Sequence, residues 1–224
     1  DKSRREQIKK SVLEGTPDRP SAVAMGGWNS FVVVEAKKNT NLIGKIISDL
    51  ALEKKRDAFD IIADLVNDEP DMYLVCGVMS DDDMKHAMKQ DWLMFSSDGD
   101  AFPIKKKTEK AKYGHPRAFS SQARVIRKYV REEKALTLEN AIHKMTYLPA
   151  SFLGIKDRGL IKEGSRADIV IFDFETIRDN ATFADSHQYS TGTKYVIING
   201  KMSIENGEYN GALNGKLLLL TENQ

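Results

Sequence analysis

Apolar positions along the chain fall into two textures, and each predicts different elements. Up to about residue 153, short continuous apolar runs alternate with longer stretches of helical spacing. Residues 2–13 read as a charged surface helix, closed by Gly15 and by Thr16-Pro17-Asp18-Arg19-Pro20, where two prolines stop helical pairing. Ser30-Phe31-Val32-Val33-Val34 reads as a strand buried on both faces of a parallel sheet. Residues 42–66 carry apolar positions at helical spacing and predict two helices broken near 54–57. A second strand is predicted over 73–78. Asp81-Asp82-Asp83 opens a helix through Lys89, its acidic residues placed where the helix dipole favours them, and Trp92-Leu93-Met94-Phe95 reads as a third strand. Such alternation predicts parallel strands with crossover helices, as in a doubly wound sheet or part of a (β/α) barrel.

Residues 101–116, after Ser96-Ser97-Asp98-Gly99-Asp100, form a polar stretch longer than the usual connection, a candidate active-site loop. Helices are predicted at about 117–133 and at 137–145, the latter opening on the capping signal Thr137-Leu138-Glu139-Asn140. Beyond Leu153 turn signals at Gly159, Gly164, Asn199-Gly200, Asn206-Gly207 and Asn214-Gly215 separate short strands such as Ile169-Val170-Ile171-Phe172 and Tyr195-Val196-Ile197-Ile198. The texture therefore changes from α/β to antiparallel β near 154–164, which divides the chain into parts 1–158 and 159–224.

Composition narrows the function classes. With 34 basic and 33 acidic residues in 224, the formal charge of +1 offers no field for nucleic acid or an anionic membrane surface. No apolar run approaches the ~20 residues of a membrane-spanning helix, and the expected location is cytoplasmic. The single cysteine, Cys76, excludes a Cys-x-x-Cys zinc or redox motif and sits in an apolar run as a buried bystander. Phosphate-binding, dinucleotide-binding and serine-nucleophile motifs are absent from the sequence, as are His-x-His and His-Glu-x-x-His, and His86, His143 and His187 stand singly.

Two places carry candidate chemistry. Asp98 follows an apolar run and precedes glycine and the long loop, where α/β folds put catalytic groups. A carboxylate there can bind a metal or take a proton from an acidified water, although an Asp before glycine more commonly caps a turn. At the far end of the loop lies Gly114-His115-Pro116-Arg117. Pro116 restrains the backbone so that the Arg117 guanidinium can grip a substrate carboxylate through two parallel hydrogen bonds, unless it is a helix-start surface arginine. His115 could serve as ligand or proton carrier, the commoner case being a hydrogen-bonded loop histidine. The lysines at 105, 106, 107, 110 and 112 read as a solvated loop.

The stretch Leu138-Glu139-Asn140-Ala141-Ile142-His143-Lys144-Met145-Thr146-Tyr147-Leu148-Pro149-Ala150, continuing through Arg158-Gly159-Leu160-Ile161-Lys162-Glu163-Gly164-Ser165-Arg166-Ala167-Asp168-Ile169-Val170-Ile171-Phe172-Asp173, resembles the C-terminal signature of the amidohydrolase superfamily. Its order relative to Asp98 and His115-Pro116-Arg117 resembles the N-acyl-D-amino-acid deacylases, over about residues 30–220. That resemblance implies an α/β fold: the C-terminal portion of a TIM-type (β/α) barrel over 1–158, then part of a small β-sandwich over 159–224. It implies a zinc-dependent hydrolase of small-molecule N-acyl amino acids. Asp98 would be metal ligand and general base and acid, and Arg117, with His115, would bind the substrate carboxylate. The family's His-x-His and further ligands would lie upstream of residue 1, so the isolated chain is expected to be inactive and to expose edges that a homo-oligomer could cover. Two alternatives stand beside this: a cyclic-amide hydrolase of the dihydroorotase or hydantoinase type, and a non-catalytic assembly module.

Overall fold

A computed structural model describes residues 2–101, 115–183 and 185–219. The lysine-rich part of the predicted loop and Gly114 lie outside the described residues. The chain divides into two units, residues 1–83 and 84–224.

In the first unit α1 (Lys2–Glu14) and α2 (Ala22–Gly26) precede β1 (Phe31–Glu35), then α3 (Ile47–Lys54), α4 (Ala58–Asp68) and β2 (Tyr73–Cys76) follow. The helix break falls where the pattern predicts it. Lys55 ends α3 in the left-handed region at φ 50°, and the Asp57 carboxylate caps α4 by accepting from the N–H groups of Phe59 and Asp60. Successive side chains of a strand face opposite sides, and Val33 and Val34 are both buried, so β1 is covered on both faces as expected.

The pairing departs from the parallel arrangement predicted. β1 and β2 run antiparallel, with Phe31 opposite Cys76 and Val33 opposite Leu74. A single crossover helix returns the chain for a parallel strand, whereas the two successive helices α3 and α4 reverse it once more. The backbone of β1 is also engaged by the chain just beyond it: the Val33 N–H donates to the Lys45 carbonyl at 3.0 Å and the Gly44 N–H to the Val33 carbonyl at 2.8 Å. Val33, Leu42, Ile47, Leu50 and Ile61 form the core of this unit. Cys76 is half-buried, with its sulfur 3.4 Å from the Ser30 hydroxyl.

α5 (Asp81–Met88) spans the boundary. The predicted third strand at 92–95 does not form, and its backbone groups go elsewhere. The Phe95 N–H donates to the Lys144 carbonyl at 3.2 Å, and the Lys144 ammonium donates to the Leu93 carbonyl at 3.1 Å. The predicted helix 117–133 is realised as α6 (Arg117–Arg124) continued by a π-helix (Val125–Glu132), with a break in helical dihedrals at Ser120. Its Val125, Tyr129 and Val130 pack with Met88, Leu136 and Ala141 of α7 (Leu138–Met145), which Thr137 caps as predicted. After α8 (Tyr147–Phe152) comes an antiparallel sheet in the order β3 (Ile169–Phe172), β4 (Thr193–Ile198), β5 (Lys201–Glu205), β6 (Glu208–Tyr209). Two of the three turns predicted from Asn-Gly form hairpins. Asn199 and Gly200 sit at φ 51° and 76°, and Asn206 and Gly207 at φ 50° and 85°, the two positive values that tight hairpins require. Asn214-Gly215 starts no strand; the Asn214 amide donates instead to the Met202 carbonyl and the Ser203 hydroxyl. Among the described residues no helix is long and apolar enough to cross a membrane.

Candidate active site

The segment that carries Asp98 is built from its serines. Ser96 and Ser97 hydroxyls accept from the N–H groups of Asp98 and Gly99 at 3.3 and 3.2 Å, two side-chain turns in succession. Asp98 sits in the left-handed region at φ 48°, which aspartate tolerates better than most residues. At Gly99 the backbone approaches α6 so closely that an added Cβ would stand 2.7 Å from the Cα of Ala118.

The other wall is the start of α6. The Arg117 N–H donates to Nδ1 of His115 at 3.1 Å and the Ala118 N–H donates to the His115 carbonyl at 3.0 Å, which fixes the corner around Pro116. The result brings all three predicted residues together. Arg117 Nη1 lies 2.8 Å from Asp98 Oδ2, and the side chains are 45% and 84% exposed, so the pair contributes little to stability and is open to a competing carboxylate. The His115 ring meets Phe183 edge-on, with centroids 5.1 Å apart. Burial, then the neighbouring Arg117, holds the His115 pKa below its usual value, with Asp98 opposing them. His115 is therefore neutral near pH 7, and because Nδ1 accepts a hydrogen bond the ring proton resides on Nε2.

A catalytic zinc takes three protein ligands. Among the described residues no group of three or more His, Cys, Asp or Glu could hold a metal ion, so Asp98 and His115 find no third ligand there. Of the remaining histidines, the His143 ring packs on Tyr147 and the His187 ring on Phe119. Sequence reasoning missed Lys144, which is fully buried and ties down the segment leading to Asp98. Its signal was a lysine three residues from the buried Ala141 on one helix, a spacing that shares a face.

The amidohydrolase family profile matches residues 99–204, from the glycine after Asp98 through the hairpin of β4 and β5. The likeness is to amidohydrolases and, within them, to N-acyl-D-amino-acid deacylases. The chain is 38% identical over 125 residues to the N-acyl-D-glutamate deacylase of Alcaligenes xylosoxydans xylosoxydans, covering 54% of the chain and 23% of that protein. It is 44% identical over 98 residues to the N-acyl-D-aspartate deacylase of the same organism, covering 44% and 20%. The chain thus spans about a quarter or less of the length of these curated relatives. The fold resembles the N-acyl-D-glutamate deacylase from Bordetella bronchiseptica, solved with zinc and a phosphonate inhibitor, at 27% identity and a TM-score of 0.62, over 84% of this chain and 38% of that one. His115 and Arg117 fall inside the amidohydrolase match, and Asp98 stands one residue before it.

Proposed function

We propose that this chain is the C-terminal part of a zinc-dependent hydrolase that cleaves the amide bond of N-acyl-D-amino acids, and that alone it is inactive. The observation that carries the reading is the meeting of Asp98 and Arg117 at 2.8 Å beside His115, next to sequence similar to amidohydrolases. In this reading Arg117 leaves Asp98 to hold the substrate carboxylate through two parallel hydrogen bonds. Asp98, released, takes a proton from the attacking water and passes it to the leaving nitrogen. His115 keeps the corner at Pro116, and its Nε2–H is the donor it has left for the substrate. Zinc is assigned to the full-length protein rather than to this chain. We assign residues 1–158 to a barrel portion and 159–224 to a sandwich portion, a division supported by the sheet of β3 to β6 falling wholly in the second part.

The relatives act on N-acyl derivatives of D-glutamate and D-aspartate, so these are the first substrates to try. The test is hydrolysis of N-acetyl-D-glutamate, N-acetyl-D-aspartate, their L-enantiomers and dihydroorotate by the full-length protein and by the 224-residue chain. Release of D-amino acid by the full-length protein only is expected. Losing a charge-assisted pair of hydrogen bonds costs about 1.5–3 kcal/mol, so Arg117→Ala should lower kcat/KM by roughly 10- to 100-fold. Unchanged kinetics in Arg117→Ala, or turnover of dihydroorotate without turnover of acyl amino acids, would sink the reading.

A further inference from the structure

We propose that Lys144 is a positioning residue for Asp98, an inference that rests on the hydrolase reading for its catalytic consequence. Lys144 is 0% exposed and is the largest fully buried side chain among the described residues. Burying an ammonium is costly unless its donors are met, and a methionine would fill similar space without that requirement. Two of its three donors are met by one short stretch of chain. The ammonium donates to the carbonyls of Gln90 and Leu93, and the Lys144 carbonyl accepts from the N–H of Phe95. One residue of α7 thereby binds three positions within 90–95, in a segment that forms no strand and so has no ladder to hold it.

Three residues beyond Phe95 stands Asp98. The intervening Ser96 and Ser97 close side-chain turns that transmit the anchored direction of the chain to the carboxylate. The Arg117 wall is held separately, by His115 and by the turns of α6. Lys144 therefore fixes the proton-transfer group and not the carboxylate-binding group. That asymmetry gives the residue a kinetic signature that general destabilisation does not share, because only the step using Asp98 depends on it.

Two measurements on Lys144→Met test this. In the 224-residue chain, hydrogen exchange read by mass spectrometry should show peptides covering 91–99 exchanging about tenfold faster or more, with α6 and the β4–β5 hairpin unchanged. In the full-length protein, kcat per folded molecule should fall on the order of 10- to 100-fold, the loss expected for a catalytic group displaced by about 1 Å, while KM stays within about threefold. If Lys144→Met does not fold, Lys144→Gln, which keeps a donor, is read by the same two measurements. Unchanged exchange over 91–99, an unchanged kcat, or a rise in KM matching the loss of kcat would each overturn the proposal. Absence of turnover in the unsubstituted full-length protein would count against the hydrolase reading instead, while the exchange experiment would still decide whether Lys144 is the anchor.

Discussion

At Gly99 a missing side chain does more for the candidate site than most side chains around it. With a Cβ contact of 2.7 Å to the Cα of Ala118 and 3.0 Å to its nitrogen, the obstacle is backbone and cannot rotate away. Gly99→Ala should therefore push the 97–99 turn off α6, separate Asp98 from Arg117, and destabilise the chain by about 1–3 kcal/mol, as overpacking does. Urea unfolding checks the stability, and a wild-type midpoint in Gly99→Ala would show that the turn has room to move. The meeting of Asp98 and Arg117 was legible through the resemblance to the deacylases, since residue type alone reads an acid before glycine as a turn cap and leaves an arginine after proline open as a surface residue. Lys144 was not, since in one dimension a lysine on an amphipathic helix is a surface residue until its neighbours are known to be buried.

Elements follow the same division between local and distant causes. Helix limits in the first unit came from local signals, a capping aspartate and a left-handed lysine, and both hairpins of the second unit came from Asn-Gly. The pairing of β1 with β2 and the missing strand at 92–95 depend on partners far along the chain, which periodicity does not report. Glu69 is another such partner. Almost completely buried, it receives the N–H groups of Lys37, Lys38 and Asn39 and so holds the turn after β1 against the end of α4. Burial pushes its pKa up, but these donors outweigh that and bring it down to about 2 from the ordinary 4.5. A carboxylate depressed in the folded state stabilises fully above its unfolded pKa, and that contribution is lost as pH falls through the folded value. Glu69 should hence supply stability to the first unit that declines between about pH 4.5 and about pH 2. Glu69→Gln, which sets an amide donor among donors, should be less stable at pH 7 and show a flatter stability curve across that window, by circular dichroism against urea. Parallel curves for the two proteins would rule out Glu69 as the source.

For the whole molecule, what the antiparallel sheet leaves uncovered matters more than what it buries. Among the described residues β3 is an edge strand, and its neighbouring residues Val170 and Ile171, which face opposite sides, are 56% and 51% exposed. An edge with open backbone groups and apolar side chains on both faces is a pairing template unless something covers it. The chain spans a minor part of its relatives' length, and two coverings answer the same need: other parts of the full-length protein, or a second copy of this chain. The isolated chain should therefore self-associate in a concentration-dependent manner by sedimentation velocity. Withdrawing one buried isoleucine from such a contact removes about 1.5–3 kcal/mol, so Ile171→Lys should weaken association by roughly 10- to 100-fold. Full-length protein should show no such response to Ile171→Lys short of unfolding, if its own chain covers β3. Association of the 224-residue chain that ignores Ile171→Lys would move the contact away from this edge, and a chain that stays monomeric at every concentration would mean that the exposed face of β3 is tolerated by water as it stands.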